Sequence, residues 1–441
     1  MDFKETLVKL DSRYRRWIVW ALRILVGATF VMSGLVKSID VWGFVYKLSE
    51  YFTTWNIPQP NSLYLIMAIM VASAEFILGA LLMLGCMKRV SAWLLTAMMA
   101  FMLPLTLYIW IASPVADCGC FGDFWVISNG ATFFKNVLLT VALIYLSVYN
   151  RKVGGVFRPY VQWLVIIGLF IYIIAVALIG YIIQPLADFR PYPVGSELVS
   201  GAEDSDDAAI EFVYEKDGRR ETFSEDNLPD STWTFVERVE PEKQSAEKSI
   251  AIYDEDVDVT EDVISTDEPQ IVVLLPDMDR TNVSFTYVVN ELQRAVDRRG
   301  GSLIEIAGAT DDELNQWRDL SMATYPIYSA DPLSIKEIAR GDMSAVYLEG
   351  GKIKWKRSLS SIDTEALNEL PRGTDAIDYL YFDGTRYLRV LSLLLVGWLA
   401  VTFLLDRLVA SLRIRRFRKR HNPPTVAEKT KATEGEPEKN T

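Results

Sequence analysis

Long apolar runs alternate with short polar stretches over the first 185 residues, and the texture changes twice after that. Trp17 to Val36 stays apolar for about the 20 residues that a bilayer core requires. It carries no A-x-A cleavage site and is long for a signal peptide, so it is expected to be a retained anchor. Runs of similar length follow at 63–86, 90–112, 131–149, 160–185 and 388–408, which predicts six membrane helices. Between 190 and 268 short β-like runs (Ile210–Tyr214, Thr232–Val239, Ile250–Tyr253) sit in acidic, turn-rich sequence, with Asp217-Gly218 as a hairpin turn.

From 270 the pattern reads strand, helix, strand, helix, hairpin. The elements are Ile271–Leu275, Phe285–Arg298, Ser302–Ala307, Asp311–Leu320 capped by Thr310, and Ala345–Leu348 with Lys352–Lys356 around Gly350-Gly351. That order predicts a small α/β domain with helices packed on a sheet. The chain therefore divides into a four-helix membrane domain (1–150), a fifth membrane helix (151–190) and an acidic β-rich segment (191–268). An α/β domain (269–371), a linker with the sixth helix (372–410) and a polar tail (411–441) expected to be disordered complete it.

Charge orients this arrangement. The net charge is −12, but acid is concentrated in 196–268 while Lys and Arg flank the apolar runs. Lys88-Arg89, then Arg151, Lys152 and Arg158, then the run from Arg407 to Arg420 fall on one side together with the basic N-terminus. The positive-inside rule makes that side cytoplasmic. The segments 37–62, 113–130 and 186–387 then lie outside, in a bacterial inner membrane facing the periplasm. The segregation is a membrane signature and gives no reason to expect nucleic acid as a partner. The acidic run reads as a solvated flap, with a basic partner as the alternative.

Candidate chemistry is sparse. The single histidine, His421, lies in the tail, and no H-E-x-x-H, G-x-S-x-G or Walker A pattern occurs. Haem sites, catalytic zinc sites and general bases near neutrality lean on histidine, so these classes are disfavoured. Two of the three cysteines stand in Asp117-Cys118-Gly119-Cys120-Phe121-Gly122-Asp123, between the third and fourth apolar runs. Residues two apart reach disulfide distance if the chain turns, and Gly119 supplies that freedom. The pair is read as redox-active, with a structural bond and inert thiols as alternatives. Lys135 is a candidate to stabilise a thiolate, against Asp117 and Asp123. Cys86 falls at the opposite end of its helix, about a bilayer thickness away, and is not expected as a partner.

Glu75 and Arg23 are ionisable groups inside apolar runs, where charge is costly and is normally paired. A buried Arg23–Glu75 pair fixing helix packing is expected, with a proton relay through Glu75 as the alternative. Lys37, at the outer end of the first helix, is expected to anchor it at the headgroups, with an anionic ligand as the alternative. Methionines 67, 70, 83, 87, 98, 99 and 102 are read as gap fillers, or as a deformable pocket.

Residues 1–150 resemble the DoxX/MauE-like membrane family. The resemblance rests on Arg23, Gly27, Phe30, Ser33-Gly34 and Lys37, on Ala74-Glu75 with Leu78-Gly79, on Cys118-Gly119-Cys120-Phe121-Gly122, and on Phe134-Lys135-Asn136. With Asp188-Phe189-Arg190-Pro191-Tyr192 and the domain after 270, the chain is similar to a Bacteroidetes-type DoxX family protein. For MauE the resemblance implies a four-helix membrane protein needed to mature a disulfide-rich periplasmic enzyme subunit. Residues 270–360 resemble a thioredoxin fold by element order. They carry Asp277-Met278-Asp279-Arg280 where Cys-x-x-Cys is expected, and Met343 where the fold places a cis-proline. This domain is therefore expected to be a binding or structural module that does not exchange thiols.

The expected fold class is a membrane helical bundle with a periplasmic α/β, thioredoxin-like domain lacking Cys-x-x-Cys. The expected function is periplasmic thiol–disulfide chemistry by Cys118 and Cys120 on a client protein or partner oxidoreductase. A quinone is the suggested electron acceptor, by analogy with other membrane disulfide generators. The alternatives are a non-enzymatic envelope scaffold and a small-molecule carrier with Glu75 and Arg23 along its path.

Overall fold

The structure, a computed structural model, describes residues 3–115, 117–199, 211–216, 219–224, 234–239, 250–371 and 373–421. Residues 1–180 with 385–441 form one compact unit and residues 181–384 a second. The first unit contains α1 (Phe3–Ile39), α2 (Val41–Thr54), α3 (Asn61–Leu84), α4 (Lys88–Ala112), α5 (Asn129–Tyr149) and α6 (Gln162–Ile182). Six helices of the described chain are long and apolar enough to cross a membrane: these less α2, and the C-terminal helix. The protein is thus a multi-pass membrane protein.

Helices α1 and α3 pack most closely, and glycines explain why. A Cβ added at Gly27 would lie 2.8 Å from the Gly79 carbonyl oxygen, and one at Gly79 would lie 2.8 Å from that of Gly27. At Gly34 it would lie 2.5 Å from both the Ala72 oxygen and the Phe76 nitrogen. With no hydrophobic drive between helices in lipid, such backbone approach is how they gain contact.

The segment 37–62, given no element by the sequence pattern, is mostly helical. The α1 helix continues to Ile39, and Asp40 then caps α2, its carboxylate accepting from the Gly43 amide at 2.9 Å. Val41, Trp42, Val45 and Tyr51 are buried, so α2 turns one face inward. Apolar residues at helical spacing and an Asp cap were both present in the sequence. The polar residues between them obscured the signal.

In the second unit, β1 (Glu211–Lys216), β2 (Arg219–Ser224) and β3 (Thr234–Val239) form an antiparallel sheet of order β2-β1-β3. Lys216 stands opposite Arg219, so the strands flank the expected hairpin turn; Asp217-Gly218 itself lies outside the described residues. The larger sheet follows from β4 (Ile252–Asp254) and β5 (Val257–Asp258), then α7 (Thr260–Val263), β6 (Gln270–Leu275), α8 (Thr286–Asp297) and β7 (Ser302–Ala307). It continues through α9 (Asp311–Ser321), β8 (Ile327–Ala330), α10 (Pro332–Ile338), β9 (Ser344–Glu349) and β10 (Lys352–Ser358). The order is β10-β9-β6-β7-β8-β4-β5, with β6, β7 and β8 parallel and the other pairings antiparallel.

Two features differ from the sequence expectation. Strand β8 and helix α10 stand between α9 and the hairpin; β8 is only four residues long, below what a period-2 pattern reveals. The division at 268 does not follow the sheet either, because β4 pairs with β8 and extends the same sheet. Strand β6 is buried throughout, as a central strand covered on both faces must be. Ile271, Val273 and Leu275 meet α8 and Trp317 on one face, while Val272 and Leu274 meet Ile335 and Ile338 on the other. After β10 come α11 (Thr364–Asn368), α12 (Ala376–Tyr379) and α13 (Gly384–His421), which carries the sixth span. The tail beyond His421 lies outside the described residues.

The Asp188–Tyr192 motif is a clasp inside this unit. Asp188 accepts from Arg190 Nε at 2.7 Å and from Lys356 Nζ at 2.8 Å, and Lys356 also donates to the carbonyl oxygens of Tyr192 and Ile338. Burial, with Arg190 nearby, draws the Lys356 amine down to about 7.

Glu305 on β7 is fully buried, and accepts from Trp317 Nε1 at 2.5 Å and Tyr325 Oη at 3.2 Å. Burial pushes its carboxyl up to about 7, the two donors only partly opposing.

Two outcomes are expected. Gly34→Val forces α1 from α3 and should destabilise the protein by about 1–3 kcal/mol in a detergent melt, as overpacking does elsewhere. For Glu305 the folded pKa exceeds the ordinary one. Its stabilisation is therefore complete below about pH 4.5 and is lost as pH rises through about 7, a change on the order of 3 kcal/mol. Denaturation of the second unit between pH 4.5 and 8 should show this decline, and Glu305→Gln should flatten it.

Candidate functional site

The site is built at the end of the first bundle where α1 stops, α4 gives way to the Cys loop and α5 begins. Lys37, on the last turn of α1, places its amine 2.8 Å from both carboxylate oxygens of Glu75 on α3. The side chains of this pair are only 4% and 5% exposed. Lys37 also donates to Ser33 Oγ at 3.1 Å and lies over the Phe44 ring of α2, 5.0 Å from its centre. The Ser33 hydroxyl is 2.8 Å from Glu75 and 2.7 Å from the Cys120 carbonyl oxygen. With one proton it donates to only one of them at a time, so it couples the ion pair to the loop.

The loop is held at several points. Gly119 has a φ of +63°, and a Cβ there would lie 2.8 Å from the Lys47 side chain. That left-handed turn is the one the spacing required. Lys47 of α2 pairs with Asp117 at 2.8 Å, and Tyr51 Oη donates to the Cys118 carbonyl oxygen at 3.0 Å. So fixed, the Sγ atoms of Cys118 and Cys120 stand 2.8 Å apart.

Their environments separate the two thiols. Cys120 is drawn below the ordinary thiol value, first by the hydrogen bond from Cys118 and then by Lys135 and Lys37, against burial. Cys118 is pushed up by that same hydrogen bond and by burial. Lys135 on α5 lies over the Phe121 ring, 4.4 Å from its centre. Its charge lowers the thiol values of the pair, against burial.

Beneath the loop is a cavity of about 200 Å³. Phe30, Phe44, Leu48, Phe52, Val71 and Leu139 supply much of an apolar lining, and Ser33, Lys37, Glu75, Lys135 and both cysteines reach it. Met67, Met99 and Met102 also line it, whereas Met70 and Met87 are exposed. Met83 lies against Gly27 and Met98 packs on the bundle core, so the methionines divide among pocket, helix packing and surface.

Two expectations are corrected. Arg23 does not pair with Glu75. Its guanidinium donates to the carbonyl oxygens of Asn150, Val153 and Gly154 and to Asn150 Oδ1, holding the chain that leaves α5. Antiparallel packing, with Gly27 against Gly79, leaves Arg23 about 12 Å along the axis from the level of Glu75. Helical side chains also lean toward the N-terminus, so Lys37 reaches back to Glu75 while Arg23 leans away. Lys37 is accordingly no headgroup anchor. A carrier path lined by both Arg23 and Glu75 loses its premise, because the two residues belong to separate clusters. Cys86 is buried, which pushes its thiol up to about 12 and leaves it unreactive.

Sequence reasoning missed Lys47 and Tyr51, which became legible only with α2, and gave Ser33 no role.

Residues 15–149 match the family model described as methylamine utilisation protein MauE, a stretch that runs from within α1 to the end of α5 and holds every residue lining the cavity. This bundle is MauE-like. A second family model, described as a domain of unknown function, matches residues 208–243, the stretch of β1, β2 and β3. Comparison with curated proteins and with solved structures gave no match.

Removing one partner of the ion pair leaves a buried charge uncompensated. Lys37→Met or Glu75→Leu alone should each cost about 3–5 kcal/mol, and the double variant should recover most of that loss. Melting of the four proteins in one detergent checks the cycle.

Proposed function

We propose that Cys118 and Cys120 form a thiol–disulfide exchange centre that oxidises or matures client proteins in the periplasm. In the MauE-like setting this is the work of an accessory protein of the methylamine-utilisation type. The observation that carries the reading is the contact of the two sulfurs, 2.8 Å apart, in a loop fastened by Tyr51, Ser33 and Lys47. A pair held this way opens and closes with little rearrangement.

The electrostatics assign an order. In exchange the sulfur with the lower pKa leaves more readily. A client thiolate therefore attacks Cys118 and releases Cys120 as thiolate, stabilised by Lys135 and Lys37. The S–S bond of the pair breaks, a client–Cys118 bond forms, and the second client thiol displaces Cys118. The client is oxidised by two electrons and the pair is reduced.

The distribution of Lys and Arg supports an inner-membrane setting with both termini cytoplasmic. On this reading the cysteine loop and residues 186–387 lie on the periplasmic side, a compartment that permits disulfides. The α/β domain has a parallel β6-β7 core and an antiparallel β9-β10 hairpin, an arrangement compatible with a thioredoxin-like module. With Asp277 to Arg280 where such a module carries its cysteines, it serves to recruit the client or a partner oxidoreductase.

Thiol trapping in intact cells with a mass-shifting alkylator should find the pair moving between oxidised and reduced forms with growth conditions. Cys120→Ser should accumulate mixed disulfides on Cys118, and Cys118→Ser should accumulate fewer. A pair fixed in one state, with no adducts in either variant, would remove the exchange reading.

A further inference from the structure

We infer that the cavity under the cysteine loop receives the head ring of a lipid-soluble quinone, which takes the electrons released when the pair closes. The inference rests on the exchange reading above and adds the electron acceptor's binding site. When the reduced pair closes, two S–H bonds break and one S–S bond forms. Two electrons and two protons must leave together. A quinone ring accepts both, its two carbonyl oxygens becoming hydroxyls, so the reaction balances as dithiol plus quinone to disulfide plus quinol.

Three observations favour this occupant. The first is size and surface. At about 200 Å³ the cavity exceeds the roughly 150 Å³ apolar cavity that stays dry and binds benzene, and its walls are largely aromatic and aliphatic. The second is access. Its lining includes Phe101, 66% exposed on the membrane-spanning α4, so the cavity reaches a lipid-facing surface through which an isoprenoid tail can leave. The third is the placement of charge. Both cysteines line the cavity, and so do Lys37 and Lys135. Cationic N–H groups in a low-dielectric site stabilise negative charge that develops on a ring oxygen. Lys37 spends its three N–H donors on Glu75 and Ser33, so Lys135, held over the Phe121 ring, is the group placed for that role.

The test uses the full chain in detergent micelles, reduced and mixed without oxygen with decyl-ubiquinone. Loss of quinone absorbance should match loss of thiols at one quinol per cysteine pair, and Cys118→Ser should form none. Binding should quench fluorescence from Trp55, which lines the cavity, and Trp55→Phe should remove that signal. Val71→Trp on α3, or Leu48→Trp on α2 if the first is unstable, should fill the cavity and slow quinol formation at least tenfold. Closure of the pair by diamide should proceed in these variants as in the natural chain, which shows that they remain folded. If the pair closes with diamide and traps clients, yet the quinone is not reduced or the filled cavity makes no difference, the inference fails and exchange survives. If diamide does not close the pair and no client is trapped, the exchange reading itself falls, and the inference with it.

Discussion

The buried contact between Lys37 and Glu75 is the constraint on which the site depends. Moving either charge out of water costs several kcal/mol even after relaxation, and in lipid no solvent compensates a misplaced one. The pair is tolerable because both carboxylate oxygens, the amine and the Ser33 hydroxyl satisfy one another. That geometry in turn requires α1 and α3 to approach backbone to backbone, which Gly27, Gly34 and Gly79 permit. Helix packing, charge burial and loop position are therefore one problem with one solution.

From that pair the loop is organised outward. Ser33 joins it to the Cys120 carbonyl, Phe44 covers Lys37, and α2 contributes Lys47 and Tyr51 to the other side of the loop. The sulfurs consequently stand between two lysines and an apolar cavity rather than in water. Such a setting favours one thiolate, because Lys135 and Lys37 stabilise charge on the pair and the two sulfurs can share the remaining hydrogen. The second unit follows an independent logic. Its central strand is covered on both faces, and its buried ionisable groups Glu305 and Lys356 are each satisfied by named partners within the same unit.

What the sequence determined on its own was whatever depends on local pattern. Apolar runs of bilayer length specified the membrane helices, and the aliphatic run at 271–275 specified the central strand. Thr310 announced the start of α9, and Cys-Gly-Cys announced a turn, because each works over three or four residues. The tertiary structure decided what depends on pairing across distance. Whether Glu75 meets Arg23 or Lys37 is set by the register of two antiparallel helices and by the backward lean of their side chains, and neither is a local property. The same holds for α2, whose apolar face is informative only once a bundle covers it, and for β8, too short to be recognised without its neighbours. Chemistry in this chain is assembled by register, and register is fixed by packing.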